Sequence, residues 1–307
     1  MSNDMILSQQ KVEKVPRSTT MNLLSDLKSL FKAIVLIANV LPVFTGLWLA
    51  LYFTDTSFLD KWEVSLLTLG GSTFVMAGAL VLNNWYDVDI DSVMERTKSR
   101  PTVTGTIPLQ VVLVIGITLT LLGFGLLLFT TLEAIVYAFI GWITYVFLYT
   151  MWSKRRYAFN TIIGSVSGAV TPLIGWAAID SAFHTVPIIL FLILFIWQMP
   201  HTFAIAIKKF DEYKAAGVAV LPVVRGLGPT KWQNIFYITC LLPLPFYLAS
   251  LGLTFIIIST CLNVIWLVLA VSGFFMKDDW KWAHMNFLYS VNYVTILFSL
   301  MVMVTLF

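Results

Sequence analysis

The chain has 307 residues, 59% of them apolar and only 11% charged, with a mean hydropathy of +0.87. That balance excludes a soluble globular domain, whose surface could not carry so much apolar area, and leaves a polytopic membrane protein. The formal charge of +3 gives no ground for a nucleic-acid partner, because the basic residues are accounted for below by membrane topology.

Residues 1–20 carry Asp4 and Glu13 and lack an apolar core, so they predict a cytoplasmic tail over 1–28 rather than a signal or transit peptide. The rest, 29–307, reads as a single membrane domain. Uncharged apolar windows predict nine helices, at about 31–53, 64–82, 109–130, 132–152, 160–179, 186–207, 233–252, 254–276 and 283–306. Two of the divisions, at Thr130-Thr131 and at Gly252-Leu253-Thr254, rest on short polar or glycine turns inside long apolar runs. With nine crossings and the N-terminus inside, eighteen of the nineteen basic residues fall on the cytoplasmic side, and only Lys61 falls outside. The positive-inside rule therefore predicts an N-in, C-out all-α bundle lying in a lipid bilayer. Cys240 and Cys261 fall within predicted helices without metal-ligand spacing and imply no disulfide.

The second predicted helix delivers Asn83-Asn84-Trp85-Tyr86-Asp87-Val88-Asp89-Ile90-Asp91 to the membrane surface. Asn84, Asp87 and Asp91 stand at i, i+3 and i+7, so a helix continuing through them lines one face with all three, while Asp89 points elsewhere. Two carboxylates and an amide oxygen suit a hard cation such as Mg²⁺, which binds through one or two carboxylates plus substrate phosphates. The alternative is a set of acids that merely solvates a loop; Arg96, Lys98 and Arg100, which follow closely, weigh against it. Four helices later Lys208-Lys209-Phe210-Asp211-Glu212-Tyr213-Lys214 enters a second loop on the same side. This spacing predicts two pseudo-repeated four-helix halves plus a ninth helix, with a site between the halves. In that arrangement Asp211 adds a metal ligand and Lys214, on the same face, meets phosphate oxygens.

Asn84-x-x-Asp87-x-x-x-Asp91 with Met94-x-Arg96-Thr97-x-x-Arg100-Pro101 resembles the first signature of the intramembrane prenyltransferases that make ubiquinone, menaquinone and haem O. Tyr149-Thr150-x-Trp152-x-Lys154-Arg155-Arg156, Asn160, Gly164, Pro172 to Trp176, Trp197-Gln198-x-Pro200-His201 and Leu221-Pro222-Val223 are similar to the haem O synthase branch of that family. The resemblance runs from about Lys32 to the C-terminus. It implies a nine-helix bundle in the bacterial cytoplasmic membrane, Mg²⁺, farnesyl diphosphate as donor and haem B as acceptor. It also makes a haem A synthase or a terminal oxidase assembly a candidate partner.

On this likeness Asn84, Asp87 and Asp91 hold the metal, and Arg96, Arg100, Lys154, Arg155 and Arg156 hold phosphate oxygens, the alternative for the last three being a purely topological role. Loss of diphosphate leaves a farnesyl cation; a haem vinyl attacks it and water completes the hydroxyethylfarnesyl arm, so the pocket must be apolar and aromatic. Trp85, Tyr86, Tyr149 and Trp197 are candidate walls, and Asn39 and Asn160 are expected to face the cavity. His201, after Pro200, either bonds a freed carbonyl or contacts the porphyrin. Ile34, Thr171 and Ala219 depart from the family pattern, as does the order Asp211-Glu212-Tyr213. Two other readings stay open: a prenyltransferase acting on a quinone precursor, and a transporter or haem-handling scaffold. The latter needs titratable groups near the bilayer midplane, whereas here the acids gather at one surface.

Overall fold

The structure is a computed structural model that describes residues 19–306, with side chains from residue 24 onward. The expected tail is therefore largely outside the described residues. In chain order the helices are α1 (Thr19–Leu30), α2 (Ala33–Phe53), α3 (Trp62–Tyr86), α4 (Val88–Val93), α5 (Pro101–Thr104), α6 (Leu109–Leu127), α7 (Leu132–Ile143), α8 (Asn160–Ala169), α9 (Thr171–Ala177), α10 (Thr185–Lys208), α11 (Phe210–Ala215), α12 (Leu221–Arg225), α13 (Leu227–Leu241), α14 (Leu253–Ser272) and α15 (Asp279–Met303). A wide π turn, Thr144–Ser153, extends α7, and a 3₁₀ stretch, Leu244–Leu251, extends α13. No strand occurs among the described residues, as expected in lipid, where each backbone polar group must bond within its own segment.

Eight helices among the described residues are long and apolar enough to cross a bilayer. The window expected at 160–179 is broken into α8 and α9 around Val170, each too short to span alone. Pro172, in the first turn of α9, has no N–H to continue the ladder from α8. The chain also turns at Thr131, whose hydroxyl accepts from Ala134 N (3.1 Å) and donates to Ala177 O (2.6 Å). At Gly252 φ is +94°, a conformation that glycine adopts without the Cβ penalty.

All seven residues of α9 are buried, and it packs against α2, α3, α7, α8 and α10 at the centre of the bundle. Its approach to α2 depends on paired glycines. A Cβ on Gly175 would stand 1.9 Å from Val43 O, and one on Gly46 would stand 2.1 Å from Pro172 O. Such backbone contact is the small-residue packing on which membrane helices rely where apolar burial gives no net drive. It leaves α9 as a floor, with α3, α7, α8 and α10 rising around the space in front of it.

Candidate active site

α3 carries Asn83 and Asn84, both buried, to its last turn and ends at Tyr86. The continuous helix expected through the motif is interrupted: Asp87 caps α3 with φ −90° and ψ 17°, and α4 starts at Val88. Asp91 N still bonds Asp87 O (2.8 Å), so the interruption keeps the two acids in register. Asp87 is 1% exposed and Asp91 4%, whereas the Asp89 side chain is 64% exposed.

The buried acids sit in a nest of cations and amides. Arg100 Nη1 donates to Asn84 Oδ1 (2.9 Å) and to Asp91 Oδ2. Lys154 donates to Asp87 Oδ2, which also accepts from Asn83 Nδ2 (2.7 Å). Lys32 donates to Asn83 Oδ1. Burial first, then the neighbouring charges of Arg100 and Lys154, holds the Lys32 ammonium well below the usual lysine range. Arg155 forks onto Asp89 and lies 5.2 Å from the Tyr86 ring centre. That hydrogen bond holds the Asp89 carboxyl below its ordinary range. Asp87 Oδ1 is buried without a hydrogen-bond partner, with Arg155 Nη2 3.5 Å away. Among the described residues no three His, Cys, Asp or Glu side chains group as a metal cage. The donor set therefore fits a hard cation only if substrate phosphates complete its shell, which is the habit of Mg²⁺. The orphaned oxygen of Asp87 is where such a cation would be met.

The second loop docks on the first. Tyr213 on α11 packs against Ile90, Met94, Ala206, Val218 and Val220. Burial pushes its hydroxyl pKa up, with Arg96 and Lys154 opposing. Glu212 turns inward: Oε1 accepts from Lys209 (2.6 Å) and Oε2 is buried without a partner. Asp211 and Lys214 are both exposed.

Tyr149 joins the nest to the interior, its ring 5.9 Å from Lys154 Nζ. It lines a cleft of about 230 Å³, walled by Trp142, Tyr145 and Tyr149 and floored by Thr171 and Ile174. Asn39 lies on the α2 side of the cleft and Gln198 and Thr202 on the α10 side. A charged mouth above an aromatic, apolar chamber suits an amphiphile with an anionic head and a long hydrocarbon tail.

The pattern of the UbiA prenyltransferase family matches residues 39–291. The chain belongs to this family. This prenyltransferase is 54% identical over 283 residues to the protoheme IX farnesyltransferase of Oceanobacillus iheyensis, covering 92% of this chain and 90% of the relative. It is 50% identical over 300 residues to the enzyme of that name from Geobacillus thermodenitrificans, covering 98% of each. Among solved structures, a digeranylgeranylglyceryl phosphate synthase superposes with a TM-score of 0.74 at 21% identity, over 93% of this chain and 99% of that one. A UbiA homolog from Archaeoglobus fulgidus bound to DMAPP and Mg²⁺ superposes with a TM-score of 0.68 at 14% identity, over 89% and 99%.

The prenyltransferase fold brings together Asn84, Asp87, Asp91, Arg100, Lys154 and Arg155, with Tyr149 and Asn39 at the cleft. Other expected site residues lie elsewhere. Asp211 and Lys214 face solvent, and the inward carboxylate of the second loop is Glu212. Arg96 and Arg156 are exposed. Asn160 is a tether, donating to Lys154 O (3.1 Å) and Ala219 O (2.9 Å). Tyr86 sits under Arg155, outside the cleft.

Trp197 and His201 turn to α15 rather than to the cleft. Their rings stack at 4.7 Å, Trp197 Nε1 donates to Ser290 O (2.8 Å), and His201 Nδ1 bonds Ser290 Oγ (2.8 Å). A hydroxyl on a neighbouring helix, not a carbonyl freed by Pro200, satisfies the histidine. Sequence reasoning overlooked Asn83 and gave Lys32 only a topological role. Asn83 was legible as part of the same motif, but its tie to Lys32, 51 positions away, leaves no trace in local spacing.

Because the Glu212 carboxylate is tucked in beside Lys209 while Asp211 is exposed, Glu212→Ala should weaken activity by about tenfold, the scale of one charge-assisted contact. Asp211→Ala should stay near wild type. Titrating Mg²⁺ and the diphosphate donor against both variants checks this; a defect confined to Asp211→Ala contradicts it.

Proposed function

We propose that the chain transfers the farnesyl group of farnesyl diphosphate to a vinyl group of haem B, forming haem O. The observation that carries this reading is the acid–cation nest opening through Tyr149 into the aromatic cleft. The relatives named as protoheme IX farnesyltransferases at 50 to 54% identity support the choice of donor and acceptor.

Arg100, Lys154 and Lys32 bind the diphosphate and stabilise the charge that gathers on it as it leaves. Asp87 and Asp91, with Asn84, would hold Mg²⁺, which when bound neutralises diphosphate oxygens. Arg155 screens Asp87 and closes the nest from the loop side, with the exposed Arg96 and Arg156 drawing the anionic donor in. Tyr145, Tyr149 and Trp142 line the chamber that keeps bulk water from the allylic cation, offering π faces in place of a nucleophile. The acceptor approaches within the bilayer, and the membrane-bound product would be collected there by a haem A synthase or a terminal oxidase assembly.

In this reading α8 and α9 together make one crossing, giving nine. The cytoplasmic face carries the nest, in the cell membrane of a bacterium. The pairs α3–α6 and α10–α13 stand as the matching elements of two halves. A reporter fused after Lys154 is therefore expected inside and one fused after Phe307 outside. A cytoplasmic C-terminus would remove one crossing, and α8–α9 would be the first to be reassigned as re-entrant.

The proposed reaction is tested by extracting haems from cells lacking and regaining this protein. Haem O, identified by mass, should appear only on its return. Restoration of a prenylated quinone precursor in place of haem O would overturn the acceptor.

A further inference from the structure

Two polar side chains in the cleft have no part in binding diphosphate. Gln198 and Thr202 stand one turn apart on α10, and both are partly open to the cavity. Gln198 Nε2 donates to Ser165 O (3.0 Å) and Leu194 O (3.2 Å). With both amide hydrogens engaged, the amide cannot be flipped, because its oxygen would then face two carbonyl oxygens. Oε1 is thus fixed as an acceptor facing the cleft. Gly168 leaves the room for this amide: a Cβ there would lie 2.7 Å from Nε2 and 2.8 Å from Oε1. The Thr202 hydroxyl has no hydrogen-bond partner among the described residues.

Side chains at i and i+4 leave a helix on one face, with Cβ atoms about 5–6 Å apart, and here both line the same cleft. A polar niche with a free acceptor and a free hydroxyl is where an apolar cavity holds water. The Gln198 amide is also set back from the mouth. Gly164 packs on the Tyr149 ring and Gly168 on Gln198, which puts the amide one helical turn, about 6 Å, beyond the aromatic ring along α8.

We propose that Gln198 and Thr202 hold and aim the water that completes the hydroxyethylfarnesyl arm. The assignment rests on the farnesyl-to-haem reading above. The C1–O bond of farnesyl diphosphate breaks, and its electron pair leaves with diphosphate. The terminal vinyl carbon of haem bonds C1, which puts the positive charge on the vinyl carbon beside the porphyrin. The water oxygen bonds that carbon, and its proton passes to the departed diphosphate. Gln198 Oε1 accepts one water hydrogen and Thr202 holds the other side, so a lone pair faces the second cation. The same set-back keeps the water from the first cation, where attack would give farnesol. Without an aimed water the second cation instead loses a proton, giving an alkene lighter by one water.

The test compares wild type, Gln198→Leu and Thr202→Val in membranes supplied with haem B, Mg²⁺ and farnesyl diphosphate. Hydrated and alkene products are separated by chromatography and identified by mass. In both variants the ratio of hydrated product to alkene should fall by about tenfold, as one or two lost hydrogen bonds imply. A valine at 202 breaks no bond within the protein, so that variant decides the matter even if Gln198→Leu folds poorly. An unchanged ratio in Thr202→Val, or a fall in both products together, overturns the assignment. If wild type yields no farnesylated haem of either kind, the parent reaction itself falls.

Discussion

Asp87→Asn and Asp91→Asn should each lower haem O formation in membranes by about 10²-fold or more, the usual scale for losing a preorganised charge at a developing anion. Asp89→Asn should stay within a few-fold of wild type. All three acids lie within five residues, so composition and local charge cannot separate them. What separates them is placement: Asp87 and Asp91 are buried against Lys154 and Arg100, whereas Asp89 faces solvent and Arg155. Removing either buried carboxylate also leaves Lys154 or Arg100 without its counter-charge among other cations, so some loss of stability accompanies the loss of rate. Insertion and monodispersity in detergent, measured beside activity, separate the two effects. Equal activities in the three variants would contradict the placement.

Arg100→Lys should be nearly as damaging, with kcat/KM for farnesyl diphosphate lowered by roughly 30- to 100-fold, about 2 to 3 kcal/mol at one guanidinium. One Arg100 nitrogen reaches both Asn84 Oδ1 and Asp91, leaving the rest of the fork for phosphate oxygens. A lysine carries the charge but cannot make the planar, paired contact. The donor KM should rise, and raising Mg²⁺ should not restore it. Lys98→Ala is the control: Lys98 pairs at the surface with Glu95 at 2.5 Å and is 54% exposed, so its loss should cost little. A normal donor KM in Arg100→Lys would place the diphosphate elsewhere.

Much of the site was legible because its chemistry is compressed into one motif. The spacing from Asn84 to Asp91 follows the helical period closely enough that the two inward acids and the outward Asp89 were separable before any fold was known, even though α3 breaks at Asp87. The second loop was harder. Asp211 and Glu212 are adjacent, and helical periodicity ranks neighbours only when the helix axis is known. α11 is too short, and too dependent on docking Tyr213 against α4, to set that axis itself.

The sequence by itself determined that the chain is a membrane helix bundle, where the apolar segments run, and which acids and cations share the first motif. Those properties are local: hydropathy over about twenty residues and the 3.6-residue period act within one segment. Tertiary structure alone decided that Lys32 completes the nest, that Asn160 is a tether, and that the apolar stretch 160–179 breaks into α8 and α9, with α9 flooring the cleft. It also decided that His201 and Trp197 turn to α15 while Gln198 and Thr202 turn inward. One helix offers every direction around its axis, and only the packing of its neighbours fixes which direction is the cavity.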